Sequence, residues 1–64
     1  MKNKNFLSIE TSLNRIFLVL GCKDALYSVT KLVDNSIEVE LNLLIRKVLF
    51  KNKTSFSDLN FILV

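Results

Sequence analysis

FLSIETSLNRIFLVLG, Phe6 to Gly21, holds two apolar runs parted by Glu10-Thr11-Ser12-Leu13-Asn14-Arg15. Read as one greasy segment, it would be the core of a secretory signal peptide behind the basic MKNKN start. Read as two strands around a turn, it opens a folded domain. A signal peptide needs roughly 7–15 uninterrupted apolar residues. The longest clean run here is the five residues Ile16 to Leu20, and a membrane-spanning helix needs about 20. The hairpin reading is therefore the better one, and an unexported, cytoplasmic protein is expected.

Working outward, Phe6 to Glu10 reads as a short strand. Thr11 to Asn14 supplies turn chemistry, because Thr, Ser and Asn side chains bond the nearby backbone. Arg15 to Leu20 reads as a second strand, its apolar run suggesting burial on both faces. Gly21 to Asp24 is expected to be the second turn. Ala25 to Leu32 is a third strand, with Ala25, Tyr27 and Val29 alternating against Leu26, Ser28 and Thr30. Two tight turns predict an antiparallel meander.

The period then changes to that of a helix, expected from Ser36 to Lys51. Asn35 can cap it, with Glu38 completing a capping box. Ile37, Leu41, Leu44, Ile45, Val48 and Leu49 form one apolar stripe. Val39, Leu43 and Phe50 form a second stripe on the opposite side. Asn52 can take the left-handed conformation that ends a helix. Lys53 to Asn60 reads as a polar loop anchored by Phe56 and Leu59. Phe61 to Val64 is a last strand, expected to pair in parallel with the first after the helical crossover.

The fold class is thus α/β, in the order β-β-β-α-β. One helix covers one face of such a sheet, and the final strand is left as an edge. Uncovered apolar surface and a bare edge both invite pairing. The sequence reads like the front half of a larger domain.

Composition narrows the function. The chain has 64 residues and is half hydrophobic, with one Gly and no Pro. A chain this short buries only about 60% of the surface its unfolded form exposes. Cys22 is the only cysteine, so no internal disulfide forms, and it reads as a small buried hydrophobe. The net charge of +3 comes from scattered basic residues. Arg46, Lys47, Lys51 and Lys53 fall near the helix end, where cations favour the negative pole of the macrodipole, and direct nucleic-acid binding is not expected. No His is present, so the usual neutral-pH base and any Cys/His zinc site are missing. No Gly-rich loop is available for phosphate, Gly21 being read as part of a hairpin turn. No cofactor and no metal are expected. Glu10, at the end of the first strand with Thr11 and Ser12 behind it, is the one notable carboxylate. It is either part of a turn with local hydrogen bonds or a vestigial phosphate-facing site.

The order of these segments resembles the N-terminal part of the TsaB family, partner proteins in tRNA threonylcarbamoyladenosine biosynthesis. That family opens with a strand running into a D/E-T-S turn and a short hairpin, here FLSIETSLNRIFLVLG. A third strand and a helix of the type E-x-L-L-x-x-I-x-x-L-L follow, here SIEVELNLLIRKVLF. A loop and a D-L-D-x-I-x-V phrase come next, here SDLNFILV. The resemblance spans essentially the whole chain. TsaD, the related catalytic subunit, also has the E-T-S turn. Its following Cys-Asp-Glu-Thr stretch and its metal-binding histidines have no counterpart here. Sugar kinases of the same broad fold carry a D-x-G-x-T opening, which Glu10-Thr11-Ser12 lacks.

The resemblance implies a truncated ribonuclease-H-like (actin-like ATPase) half-domain, a single N-terminal subdomain over residues 1–64. TsaB proteins are longer, continuing into a Gly-Pro-Gly-Ser-Phe-Thr-Gly loop and a second half. A Gly-His-Ala lead into the helix is replaced here by Asp34-Asn35-Ser36-Ile37. The resemblance further implies a non-catalytic partner that binds the TsaD-like catalytic subunit through its N-terminal helices, with no membrane and no direct nucleic-acid role. The expected interface is Val39, Leu43, Arg46, Lys47 and Phe50, and Glu10, Thr11 and Ser12 are the vestigial phosphate turn. In the other reading of the second stripe, it lies under the loop, with Phe56 covering Phe50. The alternatives for the whole chain are a small α/β module that homodimerises, including through the helix 36–51, or a remnant without independent function.

Overall fold

A computed structural model describes residues 4–34 and 36–64. Three strands, β1 (Phe6–Ser12), β2 (Arg15–Cys22) and β3 (Ala25–Leu32), lead into helix α1 (Ile37–Lys51). A single 3-10 turn (Phe56–Asp58) and a short strand β4 (Phe61–Leu63) follow. The sheet order is β3-β2-β1-β4. β1, β2 and β3 pair antiparallel, and β4 pairs parallel with β1. This is the expected β-β-β-α-β layout.

The hairpins are tighter than the sequence suggests. Thr11 pairs with Ile16 and Ser12 with Arg15, so both belong to β1 and the turn is Leu13-Asn14 alone. β-Branched Thr11 fits a ladder as well as a turn, and the ladder wins because β2 lies opposite it. The second turn is Lys23-Asp24, with φ of 53° and 65°. Two consecutive left-handed residues make the turn whose twist matches a two-residue hairpin. Gly21 and Cys22 are therefore the end of β2, not part of the turn. Gly21 lies opposite Phe6 and Leu26.

Alternation sorts the sheet into two faces. Leu7, Ile16, Leu18 and Leu20 are fully buried beneath α1, and Cys22 joins them. Leu44, Ile45 and Leu49 close this core from the helix, with Ile37, Leu41 and Val48 packed at its margin. The helix lies across β2. Among the described residues nothing covers the other face, correcting the expectation of burial on both sides of β2. Arg15 and Phe17 are exposed there and Val19 is half-buried.

Helix ends also differ from expectation. Asn35, the expected cap, lies outside the described residues. The N-cap position is Ser36, whose side chain makes no capping bond. At the other end Asn52 is not left-handed (φ −101°). Its amide instead donates to the Val48 carbonyl at 2.8 Å, and Lys53 takes the positive φ of 53°. Glu38 and Glu40 in the first turn and Lys51 in the last suit the macrodipole.

The segment before β4 is more ordered than a polar loop. Ser55 and Asp58 form a capping box around the 3-10 turn. Leu59 packs against the core as expected. Phe56 does not anchor anything, being 54% exposed. Asn5 and Asn60 then fasten β4 beside β1. The Asn60 N–H donates to the Asn5 carbonyl at 2.7 Å, and the Asn5 N–H donates to Asn60 Oδ1 at 2.8 Å.

Candidate functional site

Two sets of residues stand out from the sequence, and the fold places them on opposite sides of the molecule. Glu10, Thr11 and Ser12 end β1. β4 reaches only as far as Ser8 along that strand, so the three lie beyond it and are exposed. With Arg15, Phe17 and Thr30 they line a shallow depression of about 350 Å³. Glu10 and Ser12 share the uncovered face with Phe17 and Arg15, their partners across the ladder. Their chemistry is one carboxylate, hydroxyls and one guanidinium. A metal–phosphate centre needs several converging oxygen ligands. Among the described residues no three His, Cys, Asp or Glu come together to hold a metal ion.

The second set is on α1. Val39, Leu43 and Phe50 recur at spacings of four and seven, which puts them on one line along the helix. They face away from the sheet because the core stripe of Leu44, Ile45 and Leu49 fixes the helix rotation. Val39 and Leu43 are 59% exposed and Phe50 is 86% exposed. The loop does not cover them, so the reading in which Phe56 shields Phe50 does not hold. Arg46 lies three residues after Leu43 and four before Phe50, within the same stripe, and is exposed. Lys47 stands to one side. It rims a groove of about 540 Å³ between α1 and β3, with Leu26, Tyr27 and Val29 on the strand side and Leu44 and Val48 on the helix side.

Charges near this groove are loosely held. Lys31 of β3 bonds Glu40 of α1 at 2.9 Å, with both side chains partly exposed. Such a surface pair contributes at most about 1 kcal/mol. The Asp58 carboxyl is held below the usual range by its bonds from Ser55. Its Oδ2 accepts from the Ser55 N–H and the Ser55 hydroxyl, both at 3.0 Å. This is a local brace for the 3-10 turn.

Reading the sequence did not single out Leu26 and Leu32. They are 71% and 62% exposed on β3, an edge of the sheet. The signal was available: a meander followed by a strand that returns to β1 must leave β3 unpaired on its outer side.

No helix of the described residues is long and apolar enough to cross a membrane. No family model, no curated protein and no solved structure matches this chain.

Proposed function

We propose that this chain is a non-catalytic binding module that works in the cytoplasm and docks on a protein partner through the outer face of α1. The observation that carries this reading is the uncovered stripe of Val39, Leu43 and Phe50, with Arg46 within it and Lys47 beside it. A helix that serves only its own sheet gains nothing from a second apolar stripe. Phe and Arg are both enriched at interfaces relative to the rest of a protein surface. An amphipathic face of this kind fits the groove or helix pair of another protein.

The sequence resemblance to the TsaB family names the partner class: a TsaD-like catalytic subunit of tRNA threonylcarbamoyladenosine synthesis, bound helix to helix. The β-β-β-α-β order supports the wider ribonuclease-H-like, actin-like reading. In that reading Glu10-Thr11-Ser12 stands where relatives handle phosphate, and here the position is vestigial.

Light scattering after size exclusion, on the chain alone and mixed with a TsaD-like subunit, tests the proposal. A mixed complex that Leu43→Asp abolishes supports it. Full-strength binding by the Leu43→Asp chain, or no complex with the folded wild-type chain, refutes it.

A further inference from the structure

The edge of β3 offers chemistry that the helix-face proposal does not use. The Val33 N–H donates to the Asn14 carbonyl at 2.7 Å. That bond fixes the phase of the β2–β3 ladder. Ala25, Tyr27, Val29 and Lys31 are the residues bonded to β2. Leu26, Ser28, Thr30 and Leu32 occupy the alternate, non-bonded pairs, so their N–H and C=O groups point outward along the free edge.

This edge carries few of the usual guards. Natural edges are blunted by shortness, Pro, bulges or charged side chains, Lys above all. β4, at the opposite edge, has three residues, whereas β3 has eight, ALYSVTKL, without Pro or Gly. Its single charge, Lys31, is drawn toward α1 by Glu40.

We infer that β3 pairs antiparallel with β3 of a second copy, joining two sheets into one of eight strands. The register that sets leucine against leucine is self-complementary. Outward-facing residues must meet outward-facing residues, and a two-fold axis through Val29 sets Ser28 opposite Thr30 and Leu26 opposite Leu32. Both leucines are largely exposed. Each lies on the face away from α1, beside Gly21 or Arg15 of β2, so the two meet on the same side of the joined sheet. Phe61, Phe6 and Leu26 share one level of the sheet, and across the seam Leu32 of the second copy extends that apolar row. On the helix side Tyr27 meets Lys31 of the second copy, an aromatic ring against a cation and its apolar stem. No like charges face each other within the strands.

The seam, Leu26 to Leu32 on each copy, is about 24 Å long at 3.4 Å per residue. A single strand pair of this length is smaller than a standard interface of about 1,600 Å². A reversible, concentration-dependent dimer follows. It leaves Val39, Leu43 and Phe50 free, so the two proposals stand separately.

Sedimentation velocity over a range of concentrations is the test. The wild-type chain should pass from monomer to a species of doubled mass. Ser28→Pro removes an outward N–H without touching the β2 ladder, and Leu26→Lys places a charge on the seam. Both should stay monomeric with an unchanged far-UV spectrum, whereas Leu43→Asp should dimerise like wild type. Under oxidation Val29→Cys should cross-link, its two copies lying about 4.5 Å apart at Cα on the axis. Ser28→Cys alone should not. A wild-type chain monomeric throughout would leave the edge to a strand of a different protein and overturn the proposal. So would a dimer that survives Leu26→Lys and is lost in Leu43→Asp, or cross-linking by Ser28→Cys in place of Val29→Cys.

Discussion

Phe6 lies over Gly21, its partner across the β1–β2 ladder, and stacks on Phe61 of β4 with centroids 5.4 Å apart and planes within 7°. A Cβ built on Gly21 would overlap the Phe6 ring. The glycine is thus in a strand for lack of a side chain, not for a special φ. Its missing contact is replaced by the aromatic ring opposite, a known remedy for glycine in sheets. Gly21→Val should push Phe6 off both neighbours and destabilise the chain by about 1–3 kcal/mol. In a Phe6→Ala background the same change should cost far less, giving a coupling of about 1 kcal/mol or more. Urea unfolding of the four chains measures it. Additive effects would mean that the ring simply swings aside.

Lys23 and Asp24 occupy the two left-handed positions of the second hairpin. Each side chain there carries a steric cost that Asn or Gly largely escapes. Replacing the pair by Asn and Gly should stabilise the chain by about 1 kcal/mol. For a domain this small that corresponds to roughly 4–8 °C in Tm. A fall in Tm would show that the turn is held by contacts of Lys23 or Asp24 rather than by backbone preference.

The parts of the fold legible in the sequence are those written in periodicity. Ile16, Leu18 and Leu20 alternate with Phe17 and Val19 and lie on the buried face. The six apolar positions expected to face the core from the helix all pack on it. Turn placement was less legible. Thr11, Ser12 and Gly21 suit turns and strands alike, and only pairing with residues far along the chain decides between them. Lys53 rather than Asn52 took the left-handed position because Asn52 found a carbonyl to bond within the helix. The outer stripe of α1 was legible as a pattern. Whether the loop covered it depended on the path from Asn52 to Asn60, which no local pattern dictates.

Asp58 predicts an acid-sensitive loop. Its carboxylate accepts two bonds from Ser55, which favour the charged form and lower its pKa. A group whose pKa is depressed by folding contributes stability above its unfolded value and loses it as pH falls through the folded one. The contribution should therefore be intact at neutral pH and fade below about pH 4. Carboxyl NMR titration should place the Asp58 midpoint below the ordinary aspartate value. Ser55→Ala should move it upward, and an unmoved midpoint would mean that the hydroxyl bond is not held in solution.

On α1, Leu43 and Leu44 are adjacent in sequence and opposite in role. Leu44 is 7% exposed within the core, while Leu43 is 59% exposed on the outer stripe. Leu44→Asp buries an unpaired carboxylate beneath the helix and should unfold the chain. Leu43→Asp and Phe50→Asp place the charge in water and should leave the urea midpoint within about 0.5 kcal/mol of wild type. A docking face predicts that both outer variants lose a TsaD-like partner while the far-UV spectrum stays unchanged. Arg46→Ala should weaken the complex less, because its neighbours in the stripe still exclude water. The comparison separates an interface from a merely tolerated apolar surface. If Leu43→Asp and Phe50→Asp bind as wild type does, the stripe is surface without a task, and any partner must meet the chain at the sheet.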